Sequence, residues 1–242
     1  MTAPHFFVEL LKGADTTVSL SPQDSRHALR SLRLQPGEEV SLSDGAGMLG
    51  HGRLAHEEDG LAVISVEEVH RVVRRPPIVS VALAPPKSDR LSWAVQKLAE
   101  VGADEVVLVE TGRAVRTWKD DRAGRAADRL RAVAREAAMQ SRQPFVMEVS
   151  PALPFQDAFP PRRASGILLW AGAKLGLGQV LPEESSGIRL FVGPEGGFSQ
   201  EEIDTAMEAG LVDASLGSSI LRTETAALVG ASLVLARYGR LG

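Results

Sequence analysis

The sequence predicts an α/β protein in two segments. A small β-rich domain spans residues 1–75, and strands alternate with helices around a mainly parallel sheet over 76–242. Three observations carry this. Short β-type runs broken by glycine turns fill the first 70 residues. The adjacent prolines Pro76-Pro77 then remove two backbone donors where regular pairing would otherwise continue. Beyond them, apolar runs of strand length recur between helical segments, as expected of strands buried on both faces. Hydrophobic residues make up 44% and charged residues 24%, a balance that suits a folded chain. No run of about 18 apolar residues is present to span a membrane.

In the first segment, Phe6-Phe7-Val8, Glu39–Leu42, Gly50–Leu54 and Leu61–Val66 read as strands, punctuated by Asp44-Gly45-Ala46-Gly47 and Asp59-Gly60. Together they suggest a small β-barrel. One helix interrupts them. Ser21 can cap it, Pro22 suits its first position, and Asp24 stands three after the cap. Leu29 and Leu32 are expected to face inward. Arg26, Arg30 and Arg33 then fall at i, i+4 and i+7 on the other side, where phosphate contact and plain solvation are both open readings.

In the second segment, Ile78–Ala84 is a nearly continuous apolar strand. Leu91–Val101 is helical, with Gly102 as its stop, and Glu105–Val109 is again a strand. Asp120–Arg142 has helix-forming composition. Strands follow at Gly166–Ala171 and Arg189–Val192. Ser199-Gln200-Glu201-Glu202 is a capping box that opens the next helix. A last short strand at Ala214–Leu216 precedes an apolar helix, Glu224–Tyr238.

Charge and composition exclude several chemistries. The chain has no cysteine, so disulfides, thiolate metal ligands, iron–sulfur clusters and cysteine nucleophiles are ruled out. All five histidines lie within the first 70 residues, and none forms a ligand-spaced pair on a helix, so no metal is expected. The start Met1-Thr2-Ala3-Pro4 shows no secretory signal, and a cytoplasmic location is expected. The formal net charge is −4, yet Arg113 to Arg142 holds nine basic residues against four acids. Arginine suits bidentate phosphate binding, although a solvated helix face with internal ion pairs would look the same.

In open α/β sheets ligands bind beyond the carboxyl ends of the strands, and three glycine-bearing loops qualify. Gly172–Gly187 contains Gly176-Leu177-Gly178, but Leu181 takes the third glycine position of a dinucleotide fingerprint and Pro182 follows. No helix is expected to open there, nor a Rossmann site. Gly193-Pro194-Glu195-Gly196-Gly197-Phe198-Ser199 directly follows a strand. A plain turn needs one glycine; three let backbone approach a ligand closely, ahead of a capped helix with free N–H groups. In Leu216–Ala226, an Arg222-Thr223-Glu224-Thr225 cluster opens an otherwise apolar helix. A cap explains one polar residue there, and a structural ion pair is the other reading of Arg222 and Glu224.

Taken together these residues resemble the RsmE family of ribosomal RNA methyltransferases in the SPOUT superfamily. The resemblance runs through Phe6–Val8, His27–Gly37, Lys87–Arg90, Gln96–Gly102 and Glu136–Arg142. The Gly193–Ser199 and Ile220–Ala226 strings are its most specific part. It implies a PUA-like barrel followed by a SPOUT-type α/β domain with a C-terminal trefoil knot. It also implies a homodimer, S-adenosylmethionine held in the knot, and methylation of N3 of a uridine in small-subunit ribosomal RNA near the decoding site. The substrate would be that RNA or the assembled 30S subunit, with no membrane and no metal. The chain departs from the family's usual pattern at His5 and Ser219, where arginine is usual. It also departs at Met139, where an acid is usual, and at Trp170-Ala171, where the strand often ends in a carboxylate.

On this resemblance Leu169, Gly193, Pro194, Glu195, Gly196, Leu216, Gly217, Ile220, Leu221 and Thr225 would bind the cofactor. Arg222 would stabilise negative charge developing on uracil O2 or O4. Glu224 or Glu100 would accept the N3 proton or pair with an arginine. Arg26, Arg30, Arg33, Lys87, Arg90, Arg125, Arg129 and Arg142 would hold RNA. Methylation at uracil C5 ordinarily uses a cysteine, which this chain lacks; N3, an imide nitrogen, needs none. Two other readings stand beside this one: a non-catalytic RNA-binding or ribosome-assembly protein, and a SPOUT enzyme acting on another RNA position.

Overall fold

The structure, a computed structural model, describes residues 3–9, 11, 13–86, 90–114 and 121–241, with backbone alone for 121–123. The chain forms two compact units, Met1–Arg74 with Ala138–Val146, and Arg75–Ala137 with Met147–Gly242.

The first unit contains β1 (His5–Phe7), β2 (Thr16–Ser19), α1 (Pro22–Arg26), β3 (Glu39–Ser43), β4 (Met48–Glu58) and β5 (Leu61–Arg71). Its five strands form one sheet in the order β1-β3-β4-β5-β2, with β1 parallel to β3 and the other pairs antiparallel. Phe6, Leu20, Leu42, Leu54 and Ile64 fill its core. The register of β4 on β5 shifts at His51/Gly52. A Cβ on Gly52 would lie 2.2 Å from the Ser65 carbonyl oxygen, so glycine is required at this close approach. β2 escapes the sequence reading because Thr16-Thr17-Val18-Ser19 carries one apolar residue on a margin strand.

Ser21 caps α1 as expected, accepting from Asp24 N at 3.1 Å. The helix then widens into a π turn, His27–Ser31. Leu32 N closes it by bonding His27 O at 2.9 Å, and Leu32 is 43% exposed rather than inward-facing. Arg33 sits beyond the helix at φ +57°. The i, i+4, i+7 face of Arg26, Arg30 and Arg33 is therefore not kept, although all three side chains are exposed.

The second unit contains β6 (Ile78–Leu83), α2 (Arg90–Glu100), β7 (Glu105–Glu110), α3 (Asp121–Gln140, whose last three residues belong to the first unit), β8 (Glu148–Pro154), β9 (Ser165–Leu169), α4 (Leu177–Val180), β10 (Gly187–Val192), α5 (Gln200–Glu208), β11 (Val212–Ala214) and α6 (Thr223–Arg237). Six strands run in the order β11-β9-β10-β6-β7-β8, every pair parallel. Side chains alternate between two buried faces. Val81, Leu83, Val106, Leu108, Ile167 and Leu190 share one core with α2, α3 and α6. Ala82, Val107, Leu168 and Phe191 share the other with Phe155, Phe198 and Ile203. Such double burial makes the strands near-continuous apolar runs. On α3 the buried positions Ala127, Leu130, Ala134, Ala137 and Ala138 follow the helical period and leave Arg125, Arg129 and Arg131 exposed.

Three elements differ from the sequence reading, and the first is β11, which spans Val212–Ala214 rather than Ala214–Leu216. β8 contains Pro151 and Pro154, which argue against a central strand but are tolerated at a margin, and it pairs with β7 alone. At Gly176 a single helical turn, α4, does open; Gly176 N bonds the Gln179 side chain at 2.9 Å, and Pro182 stops the helix at once.

At the amino ends of the strands, buried Asp104 accepts from Val79 N at 2.7 Å and pairs with Arg240 at 2.6 Å. Arg240 also donates to the Pro77 and Gly102 carbonyls. The chain's last turn is thereby fastened beneath β6 and β7. No helix among the described residues is long and apolar enough to cross a membrane.

Candidate functional site

Three adjacent strands, β11, β9 and β10, end together on the carboxyl edge of the sheet, and a cavity of about 360 Å³ opens there. Parallel sheets place ligand sites on this edge, and the volume suits a small organic molecule. Apolar side chains line it: Leu169, Val192, Leu216, Ile220 and Leu221. Its rim is backbone, from Gly193–Phe198 on one side and Leu216–Leu221 on the other.

Local chemistry explains the shape. Gly197 turns at φ +67° and Gly217 at φ +113°, both in the left-handed range that glycine tolerates. A Cβ on Gly193 would stand 3.1 Å from the Phe198 ring, so bare backbone faces the cavity. Thr223, at the first position of α6, donates its hydroxyl to the Gly193 carbonyl at 3.0 Å and joins the two loops. Behind them, Ser199 and Glu202 form the expected capping box, with bonds of 3.1 and 2.7 Å. Trp170 forms one wall, its indole N–H bonded to Asp213 at 2.9 Å. Ile220, on the lip, is 90% exposed.

The residues named from sequence fall as follows. Leu169, Gly193, Pro194, Glu195, Gly196, Leu216, Gly217, Ile220 and Leu221 line the cavity, and Thr225 does not. Arg222 is exposed at the N-cap position of α6 and makes no capping bond with its side chain. Glu224, one residue past Thr223, is 7% exposed; its Oε1 lies 3.5 Å from Arg90, and its buried Oε2 has no partner among the described residues. Glu100 lies at the far end of α2, a rise of ~15 Å from Arg90, and both its oxygens bond Lys97 at 2.7 Å. The fold does not bring Glu100 to the cavity.

Arg125 and Arg129 are exposed on α3. Arg142, at φ +57°, donates to the Ala3 carbonyl at 2.6 Å. Lys87, and Arg116 and Lys119 of the basic stretch, lie outside the described residues. Sequence reasoning missed Arg113, Trp170, Phe198 and Thr223 as cavity residues. Arg113 was within reach of the strand-end rule, because it follows the carboxyl end of β7. Among the described residues no cluster of three or more metal-ligating side chains occurs.

Residues 74–235 match the RNA methyltransferase domain family, and residues 20–67 match the RNA methyltransferase PUA domain family. Over 95% of this chain and 90% of the relative, the sequence is 32% identical to ribosomal RNA small subunit methyltransferase E of Mycobacterium bovis. The chain belongs to the RsmE family. Another relative, the Bacillus subtilis methyltransferase of the same description, is 28% identical over 95% of this chain and 94% of its own. The fold is similar to the crystal structure of a ribosomal RNA small subunit methyltransferase E from Neisseria gonorrhoeae bound to S-adenosyl methionine. That match has a TM-score of 0.89 and 27% identity over 98% of each chain. This RsmE-family chain thus brings residues of its two most specific strings to one cavity.

Proposed function

We propose that the protein transfers the methyl group of S-adenosylmethionine to N3 of a uridine in small-subunit ribosomal RNA near the decoding site. The observation that carries this is the meeting of Gly193–Phe198 and Leu216–Leu221 on one cavity at the carboxyl ends of parallel strands. The cavity fits the cofactor: apolar side chains suit the adenine, and bare glycine backbone offers close hydrogen bonding to polar groups. Bound there, S-adenosylmethionine supplies a sulfonium methyl group open to in-line attack.

The chain's own residues then have three tasks. The loops fix the donor so that the attacking nitrogen meets the methyl carbon in line. Arg222, beside the cavity, stabilises negative charge on a uracil oxygen once the imide proton has left. Of the two carboxylates, Glu224 stands beside the cavity-lining Thr223 and accepts that proton. N3 lies on the Watson–Crick edge, so the base must be unpaired or extruded. The chain has 7 Phe, 3 Trp and 1 Tyr, few platforms for stacking. Recognition therefore leans on phosphates through exposed arginines such as Arg26, Arg30, Arg125 and Arg129, and binding should weaken steeply with salt.

The family resemblance adds a homodimer, a trefoil knot and a cytoplasmic setting to the proposal. Leu233 on α6 and Trp93 on α2, 47% and 42% exposed, are apolar side chains that a second copy would cover.

The test incubates the protein and S-adenosylmethionine with small subunits lacking the mark. Reverse transcription should stop at one uridine, because N3 methylation blocks pairing. Label transferred to a ribose 2′-OH or to transfer RNA would replace the uracil-N3 assignment. Cofactor binding without any transfer would favour a ribosome-assembly role.

A further inference from the structure

The glycine loop that rims the cavity is held in shape from outside, by a turn that no motif assigned to it. A run of Gly193, Gly196 and Gly197 has no side chains to pack, and the loop's own turn is closed by a bond from Gly197 N to the Pro194 carbonyl at 2.8 Å. Two side chains tie it to the turn after β7. Arg113 Nη1 donates to the carbonyls of Gly196 at 3.1 Å and Phe198 at 3.2 Å. In the other direction, Glu202 bridges the same two segments. Its Oε1 accepts from Gly112 N at 2.8 Å and its Oε2 from Ser199 N at 2.7 Å. The Arg113 stem also lies across Gly196, where an added Cβ would stand 3.4 Å from Arg113 Cβ.

We infer that Arg113 and Glu202 are positioning residues for the methyl donor, acting through the backbone of Gly196–Ser199 rather than by chemistry of their own. This rests on the reading of the cavity as the S-adenosylmethionine pocket. A guanidinium presents several donors in a fixed plane, so one arginine can hold two neighbouring carbonyls where a lysine offers a mobile point charge. A carboxylate presents two acceptors, so one Glu202 serves its helix cap and the Gly112 turn together; a glutamine keeps a single acceptor oxygen. Arg113 is also the first of the nine basic residues that run to Arg142. Its bonds commit it to the loop, so its role differs from that of exposed arginines available to phosphate.

Calorimetric titration of S-adenosylmethionine into wild type, Arg113→Ala, Arg113→Lys and Glu202→Gln tests this. Arg113→Ala should weaken donor affinity about ten-fold, the usual consequence of losing charge-assisted hydrogen bonds. The KM for the donor should rise with it, more than kcat falls. Arg113→Lys should recover part of the loss, and Glu202→Gln should lose a few-fold. The double variant should lose less than the product of the two, since both side chains hold one loop. The salt dependence of RNA binding should be unchanged in Arg113→Ala, because no phosphate contact is removed. Hydrogen exchange in the ligand-free protein supplies a second readout, with amides of 196–199 exchanging faster in Arg113→Ala. Wild-type affinity in that variant, or unchanged exchange at 196–199, would overturn the inference. If wild type itself failed to bind the donor, the pocket assignment would fall, and the exchange rates would still decide whether Arg113 holds the loop.

Discussion

The two ends of the six-stranded sheet are built from the same strands, yet they are finished in opposite ways. At the amino end, Asp104 and Arg240 form a buried pair whose remaining donors and acceptors meet Val79 N and the Pro77 and Gly102 carbonyls. At the carboxyl end lie an open cavity, an isoleucine that is 90% exposed, and a buried Glu224 oxygen with no partner among the described residues. Satisfied polar groups hold an edge closed, and unsatisfied ones mark an edge that awaits something. The difference separates residues that keep the fold from residues that serve the ligand, and substitutions at the two ends should have separable effects.

The largest expected effect is at the closed end. Arg240→Ala leaves the Asp104 charge, 3% exposed at its side chain, without its guanidinium. Breaking a buried pair from one side costs about 3–5 kcal/mol. Urea unfolding should show that loss, while donor affinity in the folded protein stays near wild type. A midpoint close to that of wild type would mean that the Arg240 contacts do not fasten the edge.

At the open end the effects should reverse. Arg222→Ala removes an exposed side chain and should leave stability unchanged. If Arg222 stabilises charge on uracil, turnover should drop about 10²–10³-fold, with donor binding nearly intact. Near-normal rates under saturating donor and subunits would remove Arg222 from the chemistry. Thr223→Val is smaller. It keeps the shape at α6 but deletes the bond to the Gly193 carbonyl, which contributes about 1 kcal/mol. Donor affinity should fall roughly five-fold. Unaltered affinity would show that the two loops hold their relation without that bond.

These residues also show what was legible in the sequence. The Gly193–Ser199 and Leu216–Ala226 strings could be read because the features that shape them are contiguous: a strand, three glycines and a capping box. The strand-end rule could place Arg113 near the cavity, but the partners of Arg113 and Trp170 could not be read, because their contacts with Gly196 and Asp213 span 83 and 43 positions and exist only once the sheet order is known. Glu100 had an attractive context in sequence, but the parallel connection from β6 to β7 carries α2 away from the cavity edge. The doubly buried strands announced themselves, whereas marginal β2 and β8 lacked an apolar run. The π turn after Arg26 has no period that local reading could detect, and it displaced the expected arginine face.

The last effect, absent at neutral pH, concerns another buried polar atom. His5 Nε2, like Glu224 Oε2, is buried without a partner among the described residues. It lies in the first unit and is not among the residues that line the cavity. His5 Nδ1 bonds Ser41 Oγ at 2.9 Å. Burial, then the Arg142 cation and then His51, lower its pKa to about 4, so the folded protein favours the neutral ring. The unfolded chain takes up that proton near pH 6.5. Below that value the unfolded state binds more protons, and stability falls. The contribution should therefore be complete above about pH 6.5, decline as pH drops, and level off near 4. Hydrogen exchange at β1 and β3, taken relative to the intrinsic amide rate at each pH, should lose protection as pH falls through that range in wild type and much less in His5→Gln. Equal slopes in the two proteins would assign the pH dependence to other groups. The predicted slope would show that a buried atom without a partner can be a stability liability as readily as part of a site.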